Sequence, residues 1–189
     1  MYKVFKRIID FLFSMILIIV LFPLMIIIGL LIKIDSEGPI IFKQRRIGIN
    51  SGEFTIYKFR TMKTKAPDVA KNLLGENNSM VTKFGKFLRR TSLDEIPQLF
   101  NILKRDMSFV GPRPALYNQY DLIGLRKERG IDKIKPGITG FAQINGRENM
   151  SLEKKVSYDE FYLDNISSLT DIKIIVKTFF VLFSKKGTY

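Results

Sequence analysis

Asp94 and Glu95 are adjacent carboxylates set among cations: Lys83, Lys86, Arg89 and Arg90 precede them and Gly111-Pro112-Arg113-Pro114 follows. An acidic pair in such a setting points to a phosphate-bearing ligand. The 189-residue chain contains no histidine and no cysteine, which excludes the usual catalytic triads, thiolate chemistry and His-rich zinc sites. An aspartate with a reference pKa of about 3.9 is ionised near neutral pH and can attack phosphorus without a general base. Its difficulty is repulsion by an anionic diphosphate, which arginines and a divalent cation relieve. Arg89 and Arg113 suit that work, because guanidinium grips phosphate oxygens bidentately. Neighbours on a helix point about 100° apart, so one carboxylate can face phosphorus while the other serves a metal or the geometry.

A structural explanation competes. Ser92-Leu93-Asp94-Glu95 has the Ser-x-x-Glu pattern of a capping box, with Ser92 as N-cap and Glu95 at the third helical position. Pro97 disturbs it, since its ring would meet the carbonyl of Leu93 beyond the first turn. A later helix start or a kink would leave the carboxylates at an irregular corner.

The flanking sequence supplies elements to hold this stretch. Residues 40–47 and 53–60, separated by the turn signal Asn50-Ser51-Gly52, read as a β-hairpin. Lys58 and Arg60 share one face of its second strand by period-two alternation, as a solvated edge or as one wall of an anion site. Residues 63–80 are polar and weakly periodic. Residues 83–91 form an amphipathic helix, with Lys83, Lys86, Arg89 and Arg90 on one arc and Phe84, Phe87 and Leu88 on another. Ile96, Leu99, Phe100 and Leu103 recur at helical spacing. Pro136 to Gly140 is turn-rich, 152–165 reads as a helix bearing Asp159 and Tyr162, and in 172–183 Lys173, Lys177 and the adjoining Ser184 form a polar stripe on an apolar helix. That last helix suits a headgroup layer or a core equally.

Hydropathy sets the wider context. From Phe11 to Ile32 no charged residue occurs over 22 positions, about 33 Å of helix and enough to cross a bilayer core. Lys3, Lys6 and Arg7 precede it, Lys33 follows, and no small-residue cleavage site ends it, so a cleaved signal peptide does not fit. Pro23 predicts either a kinked span or a re-entrant helix–break–helix that returns to the same face. The second keeps both basic flanks on the positive side. The formal charge of +13 and mean hydropathy of +0.06 suit a basic domain on a lipid-contacting segment that serves anionic partners. A membrane-attached protein that binds anionic lipid or nucleic acid without catalysis would share those features, though it gives Asp94-Glu95 and Arg113 no purpose. A membrane phosphatase or nucleotidyl transferase using an aspartyl-phosphate is a further reading.

Four motifs in order give a resemblance. Lys58-Phe59-Arg60-Thr61-Met62, Ser92 to Leu99, Asp106 to Pro114 and Pro136-Gly137-Ile138-Thr139-Gly140 are similar to the bacterial sugar transferases, the monotopic polyprenyl-phosphate phosphoglycosyl transferases. The similarity extends from Lys6 to Ile174, in the minimal single-module form. It implies an α+β monotopic membrane protein: a re-entrant helix broken at Pro23 in residues 1–34, then a cytoplasmic catalytic domain in 35–189 with interfacial helices and a small β-hairpin. It implies transfer of a sugar 1-phosphate from a UDP-sugar to undecaprenyl phosphate with release of UMP, a first membrane step of polysaccharide or glycoconjugate assembly at the cytoplasmic face of the bacterial membrane. Asp94 would form an aspartyl-phosphosugar in a ping-pong mechanism, with Glu95 supporting it and Mg²⁺. Arg89 and Arg113 would bind phosphate, and Lys58, Arg60, Gln143 and Arg147 would serve the donor side. The partners implied are UDP-sugar, undecaprenyl phosphate and membrane lipid, with no nucleic acid. One departure stands out. Arg105 occupies a place where the family usually has Gly, which permits backbone geometries that Arg resists.

Overall fold

A computed structural model describes residues 2–64, 80–146 and 150–183. Arg147, Ser184 and most of the polar segment 63–80 lie outside the described residues. Helix α1 (Tyr2–Asp35) runs unbroken through Pro23, so the expected break is not a gap in the helix. A proline removes only its own N–H from the ladder, and the turns on either side remain intact. Only 17% of the most apolar 18 residues of α1 are buried inside the protein. Its inward stripe is polar at first, with Asp10 and Ser14 buried, and then apolar through Leu17, Ile18, Leu21, Leu24, Ile28 and Ile32. That stripe recurs every three or four residues, which is one helical face.

The hairpin forms as read: β1 (Ile41–Ile47) pairs antiparallel with β2 (Glu53–Phe59), from Ile41 opposite Phe59 to Ile47 opposite Glu53. Its turn places Asn50 and Ser51 at φ of 53° and 58°, a left-handed pair that short polar side chains tolerate. Helix α2 (Lys83–Thr91) is capped by Thr82, whose hydroxyl accepts the Gly85 N–H. Gly85 is obligatory because a Cβ there would stand 2.1 Å from the Thr61 carbonyl oxygen. The helix therefore crosses directly over the backbone that follows β2. Leu88, fully buried, closes a cluster with Phe59, Ile28 and Ile32, a burial worth about 1.5–3 kcal/mol.

Helix α3 (Gln98–Leu103) packs Leu99 and Ile102 against Ile56, Met107 and the middle of α1. It ends in a Schellman turn, with Asp106 N–H to Asn101 O and Arg105 N–H to Ile102 O. Arg105 there has φ 70°. The turn therefore keeps the glycine-type conformation although the residue is Arg.

A second sheet was not foreseen. β3 (Ser108–Val110) and β4 (Gly137–Thr139) run parallel, bringing the Gly111-Pro112-Arg113-Pro114 and Pro136 to Gly140 motifs side by side. A Cβ on Gly137 would lie 2.1 Å from the Gly111 nitrogen, and one on Gly140 would lie 2.1 Å from the Gly111 oxygen. Both motifs need glycine for this approach. Helices α4 (Tyr120–Glu128), α5 (Phe141–Asn145), α6 (Leu152–Asp164) and α7 (Ser168–Phe183) complete the described chain. The fold is helix-rich with two small sheets. Among the described residues, all but four of the exposed large hydrophobic side chains lie on α1 or α7.

Two hydrogen-bonded latches, the first of them including an ion pair, tie α1 to this body. Near its start, Tyr2 and Lys6 both reach Asp171 Oδ2 at the head of α7, at 2.6 and 2.5 Å, while Asp171 Oδ1 accepts the Tyr162 hydroxyl at 2.7 Å. Near its end, the Arg60 guanidinium donates to Ile32 O and to Ser36, and Asp35 accepts the Phe84 N–H.

Candidate active site

The acidic pair sits on a single 3-10 turn, Leu93–Glu95, wedged between α2 and α3. The capping box does not form. Ser92 closes α2 instead, with φ 56° and its N–H on Arg89 O, and its side chain makes no cap bond. A left-handed residue ending one helix cannot present the extended backbone that an N-cap requires. Pro97 stands immediately before α3, where a missing N–H costs nothing, so the helix does start later. The carboxylates are left on an irregular corner.

Three elements bring cations to that corner. Lys58, near the end of β2, donates to Glu95 Oε1 at 2.6 Å, and Arg113 NH2 lies 3.5 Å from the same oxygen. Arg89 leaves the exposed arc expected for it and donates through Nε to Thr61 Oγ1 at 2.9 Å. It remains near enough to act on the Asp94 charge, as do Lys58 and Arg113. Among the described residues, no hydrogen bond or ion pair engages the Asp94 carboxylate, although Asp94 is only 9% exposed. Fully buried Asn101 fixes the spacing of β2 and α3 by bonding along the strand: its Oδ1 accepts the Tyr57 N–H and its amide donates to Thr55 O.

Environment separates the two carboxylates. Burial raises Asp94 to about 6 and the neighbouring Glu95 charge adds to that, against the pull of Lys58, Arg89 and Arg113. Burial also disfavours the Glu95 anion, but Lys58 and Arg113 outweigh it and hold Glu95 down at about 2. Asp94 is therefore less acidic than its reference value suggested, yet still mostly ionised at neutral pH. Paired carboxylates pushed in opposite directions commonly divide roles at a reactive centre.

Other expected residues go elsewhere. Arg60 is buried and bound to the last turn of α1, so it does not share a wall with Lys58. Strand alternation ends at Phe59, and both Phe59 and Arg60 turn inward. Gln143 donates to Ile138 O and braces the Pro136 to Gly140 loop rather than the carboxylates. Thr61, Asn101 and Arg126 were not singled out. Thr61 lay inside a quoted motif. Asn101 stood on the side of the helix away from Ile96, Leu99, Phe100 and Leu103, where a polar residue reads as solvated, whereas the structure buries Gln98, Leu99, Asn101 and Ile102. Arg126 gave no local signal, because its partner Asp159 is 33 residues away.

A buried carboxylate without a partner among the described residues thus stands beside a neutralised one amid Lys58, Arg89 and Arg113, an arrangement that suits a phosphate-bearing ligand. The description "Bacterial sugar transferase" matches residues 1–185, and the chain belongs to that family. It is 40% identical over 193 residues to a UDP-glucose:undecaprenyl-phosphate glucose-1-phosphate transferase of Klebsiella pneumoniae, covering 98% of this chain and 42% of that protein. It is 36% identical to an undecaprenyl-phosphate galactose phosphotransferase of Salmonella typhimurium, covering 97% and 41%. It is also 46% identical over 147 residues to an uncharacterized sugar transferase of Bacillus subtilis, covering 78% and 71%. The chain thus spans about two-fifths of the length of the first two relatives.

Proposed function

We propose that this chain transfers a sugar 1-phosphate from a UDP-sugar to undecaprenyl phosphate through a covalent intermediate on Asp94. The observation that carries the reading is the division of the acidic pair, with Asp94 lacking a partner among the described residues and Glu95 neutralised by Lys58 and Arg113. The names of the relatives support the substrate classes. An Asp94 oxygen attacks the β-phosphorus of the donor, and the bond from that phosphorus to the bridging oxygen breaks. UMP leaves with the bridging oxygen. A phosphate oxygen of undecaprenyl phosphate then attacks the same phosphorus and returns Asp94 to the carboxylate, which is a ping-pong sequence. Arg89 and Arg113 bind the phosphate oxygens and offset charge that builds during each transfer.

The donor set suits Mg²⁺ in one form. Among the described residues no group of three ligating side chains occurs, so a cage made by protein alone does not fit. Two adjacent carboxylates completed by substrate phosphate do fit, since Mg²⁺ commonly takes one or two carboxylates plus phosphate oxygens. Asp94 and Glu95 would hold the ion, which supplies charge neutralisation on the diphosphate.

The membrane arrangement is part of the same reading: a monotopic protein on the cytoplasmic face, with α1 re-entrant and α7 interfacial. Both ends of α1 are latched to one body, and the outward faces of α1 and α7 are apolar. The test is incubation with a panel of UDP-sugars, undecaprenyl phosphate and Mg²⁺ while UMP is measured. Release with at least one donor is expected, as is a loss of at least about a thousandfold in Asp94→Asn. No release with any donor overturns the transferase reading, and near-normal turnover by Asp94→Asn overturns the covalent one.

A further inference from the structure

Arg113 occupies a segment with no regular structure, flanked on both sides by proline. Pro112 and Pro114 have no N–H to donate, so the carbonyl groups are the main handles by which the protein can hold this backbone. Each carbonyl from Pro112 to Ala115 is taken. Pro112 O accepts the Gly137 N–H and Ala115 O accepts the Ile47 N–H, both at 2.9 Å. The two between them are held by guanidinium groups: Arg126 NH1 donates to Arg113 O at 2.9 Å, and Arg46 NH1 donates to Pro114 O at 3.0 Å.

The two arginines are mounted in the same way. Arg126 turns its other edge, Nε and NH2, onto Asp159 Oδ2 at 3.0 and 2.6 Å. Arg46 turns the same two nitrogens onto Gln44 Oε1 at 2.9 and 2.5 Å. The Arg126–Asp159 pair is deeply buried, with side chains 10% and 1% exposed. A buried ion pair is weak evidence for stability, because desolvation offsets its attraction. Here the pair leaves one N–H free to aim at a single backbone oxygen. The guanidinium is planar and its donors are fixed relative to one another, so clamping one edge sets the direction of NH1.

We propose that Arg126, braced by Asp159, is a positioning residue that sets where the Arg113 guanidinium meets substrate phosphate, with Arg46 on Gln44 as its counterpart across Pro114. The inference rests on the reading of Arg113 as a phosphate ligand. It adds that the ligand's place is dictated by an ion pair carried on α4 and α6, outside the quoted motifs that form the site.

A double-mutant cycle on the full chain tests it, with kcat/KM for a UDP-sugar donor read from UMP release and the thermal midpoint of each variant measured in parallel. Arg126→Gln is expected to lower kcat/KM by about tenfold to a hundredfold, the scale of a misplacement near 1 Å. In an Arg113→Ala background the same change is expected to cost less than about twofold, because no guanidinium remains to misplace. Should Arg126→Gln fail to fold, Arg126→Lys serves: it keeps the charge beside Asp159 but lacks the planar fork that fixes the direction of the donor to the Arg113 carbonyl, and the same non-additive pattern is expected. Losses that multiply in the double variant overturn the inference alone. Unchanged kcat/KM in Arg113→Ala overturns the reading of Arg113, and the inference with it.

Discussion

At the scale of single residues, the protein makes two neighbouring carboxylates behave differently. Lys58 and Arg113 converge on one oxygen of Glu95, and Asp94 is left buried with its charge opposed. With Asp94 raised to about 6, the rate of UMP release in the donor half-reaction, measured without acceptor, should level off above about pH 7. Below about pH 6 it should fall tenfold per unit. A profile flat to pH 4.5 would show that Asp94 titrates as an ordinary carboxylate. The same shift affects stability. A carboxyl whose pKa rises on folding favours the folded state below its unfolded value near 4 and loses that contribution as pH rises through about 6. Asp94→Asn should therefore melt at least as high as the wild type at pH 7–8, whatever its activity. A lowered midpoint would show that the Asp94 anion is stabilised by its cations on balance.

At the scale of elements, local chemistry was readable wherever a turn or a helical period announced it. The hairpin follows Asn50-Ser51-Gly52 to within one residue at either end, and α2 appears over the range expected. β3 and β4 had no such signal. Each is three residues long, and the pair is joined across 26 intervening residues by glycines whose purpose appears only when the backbones meet. Helix α4 escaped notice because its apolar residues do not repeat cleanly and Gly124 interrupts them. Arg105 shows one element being indifferent to its residue. The Schellman turn keeps its left-handed corner, at a cost for a non-glycine of about 1–2 kcal/mol. Arg105→Gly should relieve that cost, less the extra freedom of an unfolded glycine, and stabilise the protein by about 0.5–1 kcal/mol. Urea unfolding measures it, and a loss of stability would mean that the Arg105 side chain contributes more than its backbone costs.

At the scale of the whole molecule, the exposed apolar side chains are concentrated on two helices, α1 and α7. Many apolar residues of α1 and α7 are exposed, while Lys6 at one end of α1 and Asp35 at the other bind the body that carries the acidic pair. Carrying the start of α1 across a bilayer would break the Lys6–Asp171 pair and leave a buried carboxylate without its cation, a change costing several kcal/mol. Tags placed before residue 1 and after residue 189 should both be shielded from a membrane-impermeant reagent in intact cells. Labelling of the N-terminal tag alone would establish a true span.

The sequence by itself determined the chemistry available: no histidine or cysteine, an acidic pair among cations, a proline-flanked Arg113 and a long, charge-free, mostly apolar run. These depend on residue type and short spacing, which need no fold to be seen. Only the tertiary structure decided which cations reach which carboxylate. It sent Arg60 to the end of α1, Gln143 to a loop and Lys58 to Glu95, and it placed Arg126 behind Arg113. Those assignments depend on contacts between residues far apart in the chain, on burial and on the competition of neighbouring charges. None of these is encoded in a local pattern.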